Sequence, residues 1–306
     1  MKFNQLKSLA AVAKAGSIQR AASEMHLSQP ALSKSIRELE RQLGVPLLIR
    51  GAGGTSLTPY GAIVAKRFCA IQKEVDKVHE EIDWLRGELG GRLLIGLSPP
   101  AADSFVAGSV ASFHRLQPSI EVQLLEQRPA HIIEGLRNGL LDFGILHQYG
   151  DAKIADFHTL TLRSLNMLIA IGGAYPATPV SMEELRHEGW LTSDLADDPD
   201  GYTGLLARHF NVPPPARVVR CTSIALCLEL ARNLRMISHW AETALPFLAA
   251  HFRAGTMTRL ELDKPLPKMN IVLAYRDEDL LSPAAALFVR LLRNAADTSA
   301  GDNLPL

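Results

Sequence analysis

The sequence predicts three successive parts: a small helical domain, one long helix, and an α/β region made of two subdomains. Apolar residues recur every three or four positions through the first 43 residues, which is the pattern of amphipathic helices. Between residues 59 and 89 the spacing alternates regularly between four and three, and after Gly90 short apolar runs alternate with helical stretches. At 306 residues the chain is long enough for two or three domains, each with its own core.

The first 58 residues predict three helices and a hairpin. Gly16 ends the first helix and Ser17 caps the second. Ser28 caps the third helix, and Pro30 fits its first turn because N–H groups there have no intrahelical acceptor to lose. Two short runs around a glycine-rich turn follow Gly44 as a hairpin. This is the layout of a winged helix-turn-helix, whose third helix enters the major groove of DNA.

The third helix separates a polar face from an apolar face. Gln29 can pair bidentately with adenine, and Ser33 can bond to any base pair. Lys34 or Arg37 can reach guanine or phosphate, and Pro30 can touch a thymine methyl group. The other face is expected to seal the domain core and consists of Leu32, Ile36, Leu39 and Leu43. The alternative is an amphipathic surface helix that binds no ligand.

Charge is distributed unevenly along the chain. Residues 1–67 carry ten Lys or Arg and only three Glu, a formal charge of +7 within a chain whose net charge is zero. Such a basic block indicates a polyanion as partner, although a solvated basic surface gives the same composition.

The long helix is predicted over residues 59–89. Its apolar positions are Val64, Phe68, Ile71, Val75, Val78, Ile82, Leu85 and Leu89. Their heptad spacing, with charged residues between them, favours a helix that pairs with a second copy of the chain. The alternative is a helix that packs only on its own domain.

Beyond residue 90 the sequence predicts an α/β region with largely parallel sheets. Apolar runs such as RLLIGL, LDFGIL and MNIVLAY have strand character, and helical stretches lie between them. This length exceeds what one sheet needs, so two Rossmann-like subdomains with a cleft between them are expected.

A dense pattern in residues 21–61 resembles the signature of LysR-type transcriptional regulators. Its parts are the pair Ala21–Ala22, the run SQPALS over residues 28–33, Leu39–Glu40, Leu43–Gly44, Pro46–Leu47, Arg50, Leu57–Thr58 and Gly61. The resemblance implies a winged helix-turn-helix over residues 1–58, a linker and dimerisation helix over 59–89, and an effector-binding domain over 90–306. That domain would resemble periplasmic binding proteins, with subdomain I at 91–162 and 267–297 and subdomain II at 163–266.

The resemblance also implies partners and contacts. The protein would be a homodimer through residues 59–89, often paired into a tetramer, that binds an interrupted dyad in double-stranded promoter DNA and responds to a small-molecule inducer. Gln29, Pro30, Ser33 and Lys34 occupy the family's base-contacting positions, and Arg50 a phosphate-contacting one. The hairpin tip GAGGTS departs from the family by lacking a basic residue, so the third helix is expected to carry more of the recognition.

Inducer-binding candidates lie where predicted strands end. Ser98 and the N–H groups of a helix predicted to start behind it favour an anionic organic ligand. Arg128 can hold a carboxylate in a bidentate pair. The full candidate set is Ser98, Pro99, Pro100, Gln127, Arg128, His147, Tyr202, Thr222, Ser223 and Trp240.

Other classes of protein have little support. No catalytic, metal or cofactor motif appears, so an enzyme with a basic accessory domain is disfavoured. An exported solute-binding protein would need a signal peptide, and none is evident at the N-terminus. Cys69, Cys221 and Cys227 fit a reducing cytoplasm, with a thiol sensor as the alternative.

Overall fold

The computed structural model describes residues 1–51, 54–86, 90–150, 154–176, 179–195 and 201–299. The chain divides into two compact units: residues 1–90 together with 134–141, and residues 91–133 together with 142–306. In the described part of the chain, no helix combines the length and apolar character needed to cross a membrane.

The N-terminal unit is a winged helix-turn-helix followed by a long helix. Its elements are α1 (Phe3–Ala15), α2 (Ile18–Glu24), α3 (Gln29–Leu43), β1 (Leu48–Gly51), β2 (Gly54–Leu57) and α4 (Pro59–Arg86). The predicted caps are present: Ser17 accepts the N–H of Arg20, and Ser28 accepts the N–H of Ala31. Gly44 ends α3 with a left-handed φ of 70°. Local capping chemistry therefore sets the bounds of the helices.

The apolar face of α3 builds the core of this domain. Leu32, Ile36 and Leu39 are fully buried against α1, α2 and β1. The prediction that Leu43 also seals the core is wrong, because 38% of its surface remains exposed at the last turn of the helix.

Glu40 ties the hairpin to the third helix. One carboxylate oxygen, Oε1, accepts the backbone N–H groups of Leu47 (2.8 Å) and Leu48 (3.3 Å). At the same end of the hairpin, where β2 leads into α4, the Thr58 hydroxyl donates to the carbonyl oxygen of Pro46 at 2.7 Å and accepts the N–H of Gly61. These bonds hold β1 and β2 in a fixed orientation against α3.

The apolar seam of α4 has two different environments. Val64 and Phe68 pack into the N-terminal core, and the Phe68 ring meets Phe3 edge-on with centroids 5.2 Å apart. The following seam positions are exposed, and they are Ile71, Val75, Val78, Ile82 and Leu85. Leu89 lies outside the described residues. The first three turns of α4 thus contribute to the domain core, while the later turns present an uncovered apolar stripe.

The C-terminal unit alternates strands and helices. Its elements are β3 (Gly91–Leu97), α5 (Ser104–Leu116), β4 (Ile120–Glu126), α6 (Pro129–Arg137), β5 (Phe143–Tyr149), β6 (His158–Leu165), β7 (Met167–Gly172), α7 (Met182–Leu185), β8 (Gly189–Thr192), α8 (Tyr202–Phe210), β9 (Arg217–Arg220), α9 (Ile224–Asn233), β10 (Ile237–Ala241), α10 (Leu245–Arg253), β11 (Met257–Leu260), β12 (Met269–Tyr275) and α11 (Pro283–Ser299). A short 3₁₀ turn covers Pro99–Ala101 between β3 and α5.

Two five-stranded sheets organise these elements, in the orders β4-β3-β5-β12-β6 and β11-β7-β10-β8-β9. In each sheet four strands run in one direction and one strand opposes them, β12 in the first and β7 in the second. Each opposed strand is the one that enters from the other sheet. The predicted division after residue 162 falls inside β6, because that strand continues to Leu165 before the chain crosses over.

Candidate functional site

The polar face of α3 is open to solvent at its N-terminal end. Gln29, Pro30, Lys34 and Arg37 are exposed, and Ser33 is half-buried beside them. No acidic residue lies in the first turn, so nothing there offsets the positive end of the helix dipole. The predicted base-contacting residues therefore share one accessible, electropositive surface.

Arg50 belongs to β1, where its backbone pairs with Thr55. Its side chain and the hairpin-tip residues 52 and 53 lie outside the described part of the structure. The phosphate contact of Arg50 accordingly stays a prediction.

A row of four aromatic rings joins the two sheets of the C-terminal unit. His147 and Tyr149 extend from the end of β5, with ring centroids 5.8 Å apart. Tyr149 meets Tyr202, the first residue of α8, at 5.1 Å, and Tyr202 meets His239 of β10 at 4.8 Å. The Tyr202 hydroxyl donates to the carbonyl oxygen of Pro267, in the segment that returns to the first sheet. The row brings together His147 and Tyr202, two predicted inducer-binding residues.

Asp194 occupies the N-terminus of α8. Its carboxylate accepts the backbone N–H groups of Tyr202 (3.1 Å) and Thr203 (2.8 Å) and the Thr203 hydroxyl (2.6 Å). A Cβ on Gly201 would overlap the Asp194 side chain, so glycine is required there. Burial opposes the charge of Asp194, but His239 and these hydrogen bonds outweigh it and lower the pKa of the carboxyl group. The carboxylate is therefore ionised at neutral pH.

Both histidines in the row are held neutral. Burial lowers the pKa of His147 to about 4, with the nearby Asp194 carboxylate acting in the opposite direction. Burial likewise lowers the pKa of His239. The Nδ1 atom of each imidazole is buried and has no hydrogen-bond partner in the described part of the chain. Neither Nδ1 atom is therefore in contact with solvent or with a hydrogen-bond partner among the described residues. Leaving such a nitrogen unsatisfied costs free energy unless a ligand or a buried water bonds to it.

The turn after β3 does not supply the free N–H groups that the sequence suggested for an anion site. Ser98 is fully buried, and its hydroxyl oxygen accepts the N–H of His147 at 2.9 Å. Pro99 and Pro100 have no N–H groups, and the next two, on Ala101 and Ala102, already bond within the turn. Residues 99–102 therefore offer no free N–H group to an anion, and an anionic ligand at Ser98 stays a prediction without this support.

The remaining candidates lie in different places. Gln127 and Arg128 are half-buried at the start of α6. Thr222 and Ser223 are exposed, and Ser223 caps α9. Trp240 packs into the core of the second sheet and donates its indole N–H to Ser238. Because neighbouring strand residues face opposite sides, Trp240 lies across the sheet from His239 and is not placed to line the cleft.

Three residues of this site were not predicted from the sequence, and they are Asp194, Tyr149 and His239. Tyr149 and His147 are two positions apart on one strand, so alternation places them on the same side. Asp194 follows the buried strand β8, the position at which α/β folds present polar groups. Those two signals were available in the sequence, whereas nothing local distinguished His239 from Trp240.

The two C-terminal cysteines do not resemble a reactive pair. The Cys227 thiol donates to the carbonyl oxygen of Cys221 at 3.2 Å. Burial, with Cys221 beside it, raises the pKa of Cys227 to about 12, so its thiolate is scarce at neutral pH. Nor does any trio of His, Cys, Asp or Glu side chains within the described ranges form a metal-binding group.

The low pKa of His147 predicts acid-sensitive stability. The unfolded chain has a histidine pKa near 6.5 and the folded chain one of about 4, so the unfolded state binds more protons between these values. The free energy of unfolding should therefore fall with decreasing pH, by about 2 kcal/mol from His147 between pH 7 and pH 5. Urea unfolding at both pH values should show a smaller fall in His147→Gln. An equal fall in the variant and the parent would contradict the assignment.

Comparison with known proteins gives consistent matches along the chain. The model of the bacterial regulatory helix-turn-helix protein, lysR family, matches residues 3–62, and the LysR substrate binding domain matches residues 86–297. The HTH-type transcriptional regulator TdcA of Escherichia coli (strain K12) is 24% identical over 286 residues, covering 92% of this chain and 89% of TdcA. The hydrogen peroxide-inducible genes activator of Dickeya chrysanthemi is 31% identical over 291 residues, covering 90% of each chain.

Solved structures share the fold. The full-length CbnR structure complexed with its target DNA gives a TM-score of 0.66 at 22% identity, covering 96% of this chain and 100% of CbnR. ArgP from Mycobacterium tuberculosis gives a TM-score of 0.70 at 18% identity, covering 95% of this chain and 96% of ArgP.

Proposed function

Because the chain belongs to the LysR family of transcriptional regulators, we propose that it binds a promoter dyad through α3 and changes that binding when a small molecule enters the cleft between its two sheets. The observation that supports the proposed DNA binding is the exposed, electropositive face of α3. Its polar side chains stand where a helix-turn-helix meets base edges. A promoter-binding protein acts where the chromosome is, so we place it in the cytoplasm.

Gln29 and Ser33 are proposed to read bases, and Lys34 and Arg37 to contact guanine or phosphate. Arg50 is proposed to contact phosphate, and Pro30 to lie against a thymine methyl. Replacing Gln29 or Ser33 by alanine should relax sequence preference by about 1–3 kcal/mol per lost base contact. The measurement is a competition assay between the promoter site and random duplex. Equal weakening on both DNAs would contradict a base-reading role.

Arg50, which is proposed to contact phosphate, provides the matched control for that experiment. Arg50→Ala should weaken binding to both DNAs about equally and reduce the slope of log affinity against log salt by about one. A change in sequence preference from Arg50→Ala, without a change in this slope, would assign Arg50 to a base instead.

The dimer is proposed to form through residues 59–89. Its support is the uncovered apolar stripe on α4, whose heptad spacing suits pairing with a second helix of the same kind. We further propose that two dimers associate as a tetramer, following the family. The domain bounds proposed are 1–58, 59–89 and 90–306, with the crossover between sheets at residue 166.

The effector site is proposed at the aromatic row. It combines residues from β5, α8 and β10 and contains buried polar atoms that have no hydrogen-bond partner among the described residues. A ligand there would contact both sheets at once, so its binding would bias how the sheets are held relative to each other.

A further inference from the structure

The charged group beside the aromatic row indicates which charge a ligand there would carry. Among the described residues of the row and those bonded to it, Asp194 is the group that stays charged at neutral pH, and its negative field acts on both His147 and His239. Three hydrogen bonds from the start of α8 fix that carboxylate in place. A second anion would therefore meet repulsion here, whereas a cation would be attracted.

The positive end of the α8 dipole does not reverse this preference for a cation over an anion. Helix N-termini attract anions through their unpaired N–H groups. At α8 the N–H groups of Tyr202 and Thr203 already bond to Asp194, so the protein's own carboxylate fills the place that an anionic ligand would take.

The unpartnered atoms suit an ammonium group. A neutral imidazole with its proton on Nε2 offers the Nδ1 lone pair as an acceptor, and both buried Nδ1 atoms lack a donor. The rings of Tyr149 and Tyr202 stand between the two imidazoles in the order of the row, and aromatic rings attract cations to their faces. Tyr202 remains an uncharged phenol because burial raises its pKa.

We propose that the effector of this protein carries a primary amine, which His147 and His239 accept through Nδ1 and which lies beside the rings of Tyr149 and Tyr202. This inference rests on the proposed effector site. It replaces the anionic ligand that the sequence favoured.

The test uses matched pairs of probes on the full-length chain: n-butylamine with butyrate, 1,4-diaminobutane with succinate, and benzylamine with benzoate. Thermal unfolding and titration calorimetry should show stabilisation by at least one amine and binding of its matched carboxylate at least 30-fold weaker. His239→Phe keeps a ring but removes the acceptor, and it should weaken the amine about tenfold. His187→Phe is the matched control, because His187 is an exposed histidine of the same unit, and it should leave the affinity unchanged.

The pH dependence gives a readout that does not depend on the variants. The titratable groups around the two imidazoles are Asp194, Tyr149, Tyr202 and each other. Protonating either imidazole removes an acceptor and adds positive charge. Because the pKa of His147 is about 4 and that of His239 is also lowered, amine affinity should be flat from pH 8 to about pH 5 and weaken below that range, while a carboxylate would bind more tightly as the pH falls.

The outcomes separate the two proposals. Binding of carboxylates but no amine, lost in His239→Phe, would keep the effector site and overturn the amine. An amine whose affinity is unchanged in both His239→Phe and His147→Phe would overturn the site assignment, and a panel in which no amine binds would overturn the amine proposal. The regulator function itself fails only if the full chain shows no sequence preference on duplex DNA, a measurement that needs no effector.

Discussion

An arginine in place of Val78 is expected to dissociate the dimer and reduce affinity for a two-half-site promoter at least 100-fold. Val78 is 54% exposed in the middle of the apolar stripe of α4, so in a paired helix its side chain would face its counterpart and two arginines would meet there. Buried like charges at such a seam cost several times more than the lost apolar contact. A dyad-binding protein that becomes a monomer also loses the gain from binding two linked half-sites.

Analytical ultracentrifugation and a binding assay on the full site would measure this result. Asp76→Arg is the matched control, because Asp76 is exposed on α4 but falls outside the stripe. It should leave the protein dimeric. A Val78→Arg protein that stays dimeric with full affinity would contradict pairing through α4.

Replacing Gly61 by alanine is expected to destabilise the DNA-binding domain by about 3 kcal/mol, the upper end of the cost of overpacking. A Cβ at this position would overlap the carbonyl oxygen of Leu47, and backbone atoms cannot move aside as a flexible side chain can. Leu47 also accepts the N–H of Thr58 and is anchored by Glu40, so a shift there would displace the hairpin.

Gly108→Ala is the control with the opposite sign. Gly108 lies inside α5 with open space where a Cβ would go. Alanine there should stabilise the protein by about 0.5–1 kcal/mol, because glycine has the larger entropy loss in a helix. Thermal and urea unfolding should show the two opposite shifts, together with weakened DNA binding only in Gly61→Ala. A neutral Gly61→Ala would show that the helix and hairpin are not held at this distance.

The sequence predicted the N-terminal domain almost completely because its signals are local. Ser17, Ser28 and Gly44 act within one helical turn of where they stand, and a 3.6-residue period separates the buried Ile36 from the exposed Lys34 on its own. Leu43 was misplaced because the period continues to the end of a helix, while the core beneath it does not.

The effector site was predicted less completely than the N-terminal domain, for two different reasons. The anion argument at Ser98 overlooked local chemistry, since two consecutive prolines cannot supply N–H groups. Asp194 and His239 were not predicted for a second reason. They come from distant segments that the two sheets bring together, and no sequence spacing encodes that meeting.

The sequence by itself determined the helix-turn-helix, the polar face of α3 and the heptad seam of α4, since each depends on contacts within a few residues. Only the tertiary structure decided which part of that seam is covered and which side of β10 faces the cleft. Strands in an α/β domain are buried on both faces, so alternation cannot tell His239 from Trp240. The proposed positive charge of the ligand also depends on tertiary structure, because it rests on a carboxylate and two imidazoles that only folding places side by side.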